Sequence, residues 1–338
     1  MSGSLEEELL SRWQDWFGES PPAGLEFLAV GRKYRDCYTL LPLPAGGNQP
    51  ACAIKIAIGE EQARRLRREF ENLTLLHDHL TDLALLSSIP SPLALEERAR
   101  LVRAVYSYVP GRSLASALSY PRRQGSAPQV LSRVSDWLAA FHVAATGQAT
   151  IRGNGHKQLA DLLAAVDEAE PLTQEPLPHQ PDDGLTTARK APEVRGLRHG
   201  DLKPEHILWR DGSIGVLDWG EMKPGSVTSD WFYFLTLSAL QMGGVESVQQ
   251  LALAAPTLEA IFFSRHWFGE LAMEATRRLL DRLDLPRSAA APLFALSVCR
   301  DSRYRWPYLA HEPFGAYNDA LRLLGRRWGD LVFDGAAA

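Results

Sequence analysis

The chain has 338 residues, 45% apolar and 23% charged, with 36 Lys and Arg against 41 Asp and Glu for a formal net charge of -5. This is the composition of an ordinary globular protein with room for roughly two domains, and its arginines are interspersed with acids, which excludes a basic nucleic-acid-binding face. Cys37, Cys52 and Cys299 are odd in number and widely spaced, so neither a disulfide framework nor a zinc knuckle is indicated. With Glu6-Glu7-Glu8 where a signal peptide needs positive charge, and no apolar run of the roughly 20 residues a bilayer requires, the expectation is a cytoplasmic protein with reduced thiols and no membrane contact.

Taken in order, Leu5, Leu9, Leu10, Trp13, Trp16 and Phe17 fall at helical spacing and predict one amphipathic helix over 4–18. From 25 to 57 the pattern becomes extended: LEFLAV, a turn at 31–36, CYTLLPL, a Gly-Gly-Asn loop, then ACAIKIAI with Lys55 among apolar neighbours. A helix follows over 60–80, with Leu66, Phe70, Leu73 and Leu76 on its apolar side and Glu69 one position from that stripe. LALEE and RLVRAVYSYV read as two further strands, completing an antiparallel sheet of about five.

Pro110-Gly111 ends the extended pattern, which puts a domain boundary between 1–110 and 111–338. The second part is expected to be mostly helical, with helices near 114–118, 130–145, 156–169, 244–252, 257–283, 289–300 and 315–328. Ser229-Asp230 is placed to cap another helix from Trp231. The Pro-rich, polar stretch within 170–196 is expected to be a mobile loop, positioned to act as a lid.

The exception to the helical pattern is 197–220, LRHGDLKPEHILW and IGVLDWG joined at Arg210-Asp211-Gly212-Ser213. An Asp-Gly turn between two short apolar runs predicts a hairpin, which brings the start of the first run, with Asp201 and His206, beside Asp218 at the end of the second. A loop aspartate with two metal-capable side chains nearby suits phosphoryl transfer: one group to orient a hydroxyl, others to hold the magnesium that carries phosphates.

This arrangement resembles the protein-kinase-like fold, and within it the aminoglycoside phosphotransferase and choline kinase branch. His199-Gly200-Asp201-Leu202 is similar to that branch's catalytic loop, with Gly200 where protein kinases usually carry Arg, and Leu217-Asp218-Trp219-Gly220 to its metal-binding motif. The resemblance implies an α+β, two-lobed fold: a nucleotide-binding N-lobe of about five antiparallel strands plus one helix, and a mostly helical C-lobe. It also implies a small-molecule O-kinase moving the γ-phosphoryl group of ATP or GTP to a hydroxyl of an antibiotic, amino alcohol or sugar-like acceptor.

In that scheme Asp201 is the base, and Lys55, held by Glu69, meets the nucleotide phosphates. Tyr108 and Val109 belong to the hinge beside the purine, His206 and Asp218 hold Mg2+, and His199 and Asp230 support the loop. Lys203 either reaches the transferred phosphate or lies in solvent. Asparagine is the commoner residue at the position of His206; histidine there, with DWGEMKPGSVTSD, is nearest in motif to macrolide kinases and 2''-aminoglycoside kinases. No G-x-G-x-x-G lies between the first two strands, where Gly31 is followed by Arg32, Lys33, Tyr34 and Arg35. That absence, with His206, motivates the alternative of a nucleotide-binding pseudokinase or interaction module. A protein kinase is disfavoured because only Glu221 to Ser229 separate the Asp218 motif from Asp230. Tyr304, Trp306, Tyr308 and Phe314, with Glu270, Glu274 and Asp301, form a mixture of rings and acids able to receive a cationic acceptor, or a stripe of core packing.

Overall fold

A computed structural model describes residues 4–34, 37–98, 101–118, 125–146, 190–245, 250 and 253–304. The chain is α+β and divides into two compact units, one made of 1–78, 86–109 and 218–220, the other of 79–85, 110–217 and 221–338.

The first unit is built on an antiparallel sheet of β1 (Leu25–Tyr34), β2 (Cys37–Pro44), β3 (Cys52–Ile58), β4 (Pro92–Arg98) and β5 (Leu101–Ser107), in the order β1-β2-β3-β5-β4. Cys52, Ile54 and Val105, on one face, pack with Leu9 and Trp13 of the N-terminal helices α1 (Leu5–Ser11) and α2 (Trp13–Phe17). Side chains alternate along a strand, so Lys55 emerges on the other face, toward α3 (Glu60–His79). Glu60 and Glu61 favour the start of α3 through the helix dipole, and Ala63, Leu66, Leu73 and Leu76 form its buried stripe.

Two expectations for this unit change. The N-terminal helix breaks at Arg12, which has φ -105° and ψ 2°; Arg12 pairs with Glu96 and lies over the Trp16 ring. The turn at 31–36 is shorter than predicted, because β1 continues to Tyr34 and pairs it with Cys37 after a register shift beyond Val30. A short helix, α4 (Leu83–Leu86), interrupts the connection between α3 and β4, its first amides bound by Asp82.

In the second unit, β6 (Arg112–Ser113), β8 (Ile207–Arg210) and β9 (Ser213–Val216) form one small sheet, and β7 (Arg195–Arg198) pairs with β10 (Lys223–Ser226). Three of these strands lie outside the hairpin expected from sequence, and Arg195 and Gly196, read within a mobile loop, belong to β7. The helices are α5 (Leu114–Leu118), α6 (Ala127–Thr146), α7 (Thr228–Met242), α8 (Ala254–Phe262), α9 (Trp267–Arg282) and α10 (Ala290–Tyr304). The single helix expected over 257–283 is α8 plus α9, separated where Phe263 closes the first and the His266 ring accepts the Phe268 amide to start the second. Phe232, Phe262 and Phe294 pack ring against ring in the core. The helices expected over 156–169 and 315–328, and 170–189 of the expected lid, lie outside the described residues, as does most of 246–252. No helix among the described residues is long and apolar enough to cross a membrane.

Candidate active site

The hairpin that carries the motif forms as its sequence demands. Asp211 and Gly212 both take positive φ, 49° and 82°, as a two-residue turn matched to strand twist requires, and Ile207 pairs with Val216. One step outside the ladder, the Leu217 amide donates to the His206 carbonyl at 2.8 Å. His206 therefore sits opposite the residue that precedes Asp218.

The loop before the hairpin is fixed through its backbone. Gly200 has φ 84°, and a β-carbon on it would lie 2.0 Å from the Glu221 carbonyl oxygen. The positive φ and this close approach together account for glycine at the position. Gly200→Ala combines left-handed strain with a backbone clash and should lower unfolding stability by about 3 kcal/mol in urea melts; a loss below about 1 kcal/mol would contradict this account.

The Gly200 amide donates to both carboxylate oxygens of Asp230, at 3.1 and 3.3 Å. Asp230 does not cap its own helix, as the sequence suggested. α7 begins earlier, at Thr228, and its first-turn carboxylate is engaged by the loop.

His199 completes the fixing. It is fully buried; its Nε2 donates to the Leu217 carbonyl at 2.8 Å while its Nδ1 accepts the Asp201 amide at 3.1 Å. Both bonds exist together only in the neutral ring. Burial lowers the His199 pKa, with His206 acting in the same direction and Asp230, the Leu217 carbonyl and Asp201 opposing. The sign follows: a histidine whose folded pKa is depressed contributes stability above its unfolded value of about 6.5 and sheds it as pH falls from there toward the folded value. Thermal unfolding from pH 7 to pH 5 should show this loss, and His199→Asn, which does not titrate, should show a shallower one. Equal slopes would remove His199 as the cause.

Asp201 thus has its backbone held from two sides, with its side chain 19% exposed. Its carboxylate lies 3.2 Å from Lys203 Nζ and 3.6 Å from His206 Nδ1. The His206 Nδ1 donates to the Asp201 carbonyl at 3.0 Å, since a carbonyl only accepts. In the neutral ring this puts the lone pair on Nε2, the tautomer a metal-ligating imidazole needs.

In the first unit, Lys55 Nζ lies 2.8 Å from Glu69 Oε1 and is in direct contact with the Asp218 carboxylate. Glu71, two positions on, is exposed. Burial alone would lower the Lys55 pKa, but the charges and hydrogen bonds of Asp218 and Glu69 outweigh it and hold it well above the usual lysine value. Asp218 takes φ 62°, rare outside glycine, and its side chain is 44% exposed. The residues that follow it dock on α3: Asn72 donates to the Trp219 carbonyl at 2.7 Å, and the buried Trp219 ring anchors the turn.

The sequence reading missed Asn72, although it lies three residues after Glu69 and hence on the same helix face. Tyr106 and Cys37 also lie on the sheet face that carries Lys55; burial raises the pKa of both, with Glu69 and Asp218 acting in the same direction. Tyr108 is half-buried and Val109 buried, immediately before Pro110. Glu274 pairs with Arg278 on α9, and the aromatic side chains from Tyr304 onward lie outside the described residues. Among the described residues, no three His, Cys, Asp or Glu side chains gather as a metal cluster. Taken separately, the exposed Asp218 carboxylate is an oxygen donor of the kind divalent cations take, and the neutral His206 ring offers the Nε2 lone pair as a nitrogen donor.

No curated protein matches the chain by sequence. Among solved structures, amicoumacin kinase hAmiN in complex with AMP-PNP, Ca2+ and Ami is similar with a TM-score of 0.51 at 14% identity, over 97% of this chain and 94% of that one. A thermostable mutant of aminoglycoside phosphotransferase APH(4)-Ia with AMP-PNP and hygromycin B gives a TM-score of 0.49 at 16% identity, over 98% and 99%. Aminoglycoside phosphotransferase APH(3'')-Id from Streptomyces rimosus ATCC10970, with ADP and streptomycin, gives 0.44 at 14% identity, over 86% and 96%. The first of these likenesses shows that the fold is shared. The model of the phosphotransferase enzyme family matches residues 52–261, well over half of the 338-residue sequence, and the chain belongs to that family.

Proposed function

We propose that this phosphotransferase moves the γ-phosphoryl group of ATP or GTP to a hydroxyl of a small acceptor such as an antibiotic, an amino alcohol or a sugar-like compound. The observation that carries the reading is the Lys55 ammonium gripped by Glu69 and Asp218, a preorganised cation of the kind that holds nucleotide phosphates. Residues 1–110 then act as the nucleotide-binding lobe, with Tyr108 and Val109 beside the purine, and 111–338 as the lobe of the acceptor and the catalytic loop. Amicoumacin kinase hAmiN, which shares the fold, binds AMP-PNP, Ca2+ and Ami; a nucleotide, a divalent cation and a small antibiotic are the ligand classes proposed for this chain.

Asp201 is the group that accepts or orients the proton of the acceptor hydroxyl. His199 accepts its amide and Asp230 accepts that of the preceding Gly200, which keeps the carboxylate in one place as the hydroxyl approaches. Lys203, paired with Asp201, balances its charge and meets the transferred phosphate. Asp218 and His206 are the proposed magnesium ligands. When bound, the cation supplies neutralisation of phosphate charge. The proposed setting is the cytoplasm, where thiols such as Cys37 and Cys52 stay reduced.

The test is purified protein with magnesium and labelled ATP or GTP, screened against hydroxylated antibiotics, amino alcohols and sugars, with the phosphorylated product identified by mass. Transfer to one acceptor class, lost in Asp201→Asn, supports the reading. If no acceptor gains a phosphoryl group and Asp201→Asn changes no measurable activity, the enzyme reading gives way to a nucleotide-binding pseudokinase.

A further inference from the structure

The turn that carries His206 is held from outside as well as from within. Pro204, Glu205 and His206 form a single 3-10 turn, in which the His206 amide donates to the Lys203 carbonyl at 2.9 Å and the ring donates to the Asp201 carbonyl. From outside, the Ser113 hydroxyl donates to the Pro204 carbonyl at 3.3 Å. Gln241 Nε2, in the last turn of α7, donates to the Glu205 carboxylate at 3.0 Å.

α7 therefore meets this loop twice. Asp230 in its first turn accepts the Gly200 amide, and Gln241 in its last turn reaches Glu205. From Asp230 to Gln241 the helix rises about 16 Å, and the chain from Gly200 to Glu205 can span at most about 18 Å. One rigid helix, about as long as the loop, thus braces both of its ends. The bond from His206 Nδ1 to the Asp201 carbonyl closes between those two anchors.

The Gln241 amide stands in an orientation that is unfavourable by itself. With Nε2 turned to the carboxylate, its Oε1 is buried and has no hydrogen-bond partner among the described residues. The reverse orientation would set two acceptor oxygens against each other, so Glu205 decides which way the amide faces. A buried acceptor is left unpaired for a contact made one residue before His206.

We propose that Gln241 is a positioning residue for His206: by holding Glu205 against α7 it keeps the imidazole on the Asp201 carbonyl, with the proton on Nδ1 and the lone pair on Nε2. The tautomer of a histidine is set by the hydrogen bond that one ring nitrogen makes. When the turn shifts, the carbonyl no longer selects the Nδ1–H form, the proton settles on Nε2, and no lone pair remains there for a cation. The service to a cation rests on the proposed role of His206 as a magnesium ligand; the hold on the tautomer does not.

The test has two readouts on the full chain. Nitrogen NMR shifts of the His206 ring, in metal-free protein at about pH 8 where the ring is neutral, report the tautomer, and Mn2+ affinity with AMP-PNP present reports the cation. In Gln241→Met the His206 signals should move toward the Nε2–H form, and Mn2+ affinity should weaken by about threefold or more, less than the roughly 10–100-fold typical of groups bonded directly to a ligand. Its melting temperature should stay close to that of the wild type. Glu205→Met should repeat both changes, while Glu205→Gln, whose side-chain oxygen still accepts from Gln241, should keep both readouts near wild type. A Gln241→Met protein with the wild-type tautomer, or a Glu205→Gln protein changed as much as Glu205→Met, overturns the positioning role and leaves the functional reading intact. A shifted tautomer with unchanged Mn2+ affinity supports the hold on the ring and takes His206 out of the proposed cation site.

Discussion

Asp201→Asn should reduce kcat by about 10²–10⁴-fold, the range expected for loss of a positioned general base, while the fold and the donor KM are largely kept. Asparagine has almost the same shape, and the contacts that fix this stretch use the backbone: the Asp201 amide on His199 and the Gly200 amide on Asp230. The carboxylate itself is partnered by Lys203 at 3.2 Å, a pair whose side chains are 29% and 19% exposed. Such a half-solvated pair contributes little to stability, within about 1 kcal/mol. A fall in kcat with donor KM and melting temperature near those of the wild type therefore isolates the chemical step. A kcat within about tenfold of wild type would remove Asp201 from the base role; a comparable loss with a collapsed melting temperature would reduce it to a structural residue.

The parts of the site written in local chemistry were legible in the sequence. Asp211-Gly212 specifies the hairpin turn, and the turn sets His206 opposite Leu217. The Lys55–Glu69 pair came from the family resemblance, and the two side chains meet at 2.8 Å. What was not legible depends on residues distant in sequence. Nothing local to Gly200 announces that the Glu221 carbonyl fills the space of its missing side chain. Local spacing alone reads Ser229-Asp230 as a helix cap, the commonest local use of those residues; only the family resemblance assigned Asp230 to the loop, whose Gly200 amide donates to its carboxylate. The breaks at Arg12 and at 263–266 were hidden because the apolar spacing continues across them. β7 and β10 have four residues each, too few for alternation to declare a strand.

Lys55→Met should be the most damaging single change in the first unit, and the damage should be repairable. Lys55 is one ammonium serving two carboxylates, with side-chain exposures of 19% for Lys55, 8% for Glu69 and 44% for Asp218. Methionine removes the charge and keeps most of the volume, leaving Glu69 buried without its cation. Breaking a buried pair from one side costs about 3–5 kcal/mol, and the partial exposure of Lys55 puts the expected loss near the lower bound, about 3 kcal/mol. Asp218 is solvated well enough to adjust; Glu69 is not. The double variant Lys55→Met/Glu69→Gln removes the stranded charge and should therefore be more stable than Lys55→Met alone, recovering about half of the loss or more in urea melts. Activity should follow a different rule. If the ammonium holds donor phosphates, both variants lose about 10²-fold or more in kcat/KM, because Gln restores the fold's electrostatic balance and does nothing for a phosphate. Because both carboxylates hold the folded Lys55 pKa above its unfolded value, the contribution of the lysine is complete below about pH 10.4 and is shed only above it. The stability difference between wild type and Lys55→Met should accordingly show no Lys55-dependent change between pH 7 and pH 9. A double variant no more stable than the single one would show that the Glu69 charge is not what Lys55 is stabilising, and a double variant that regains activity would move phosphate binding elsewhere.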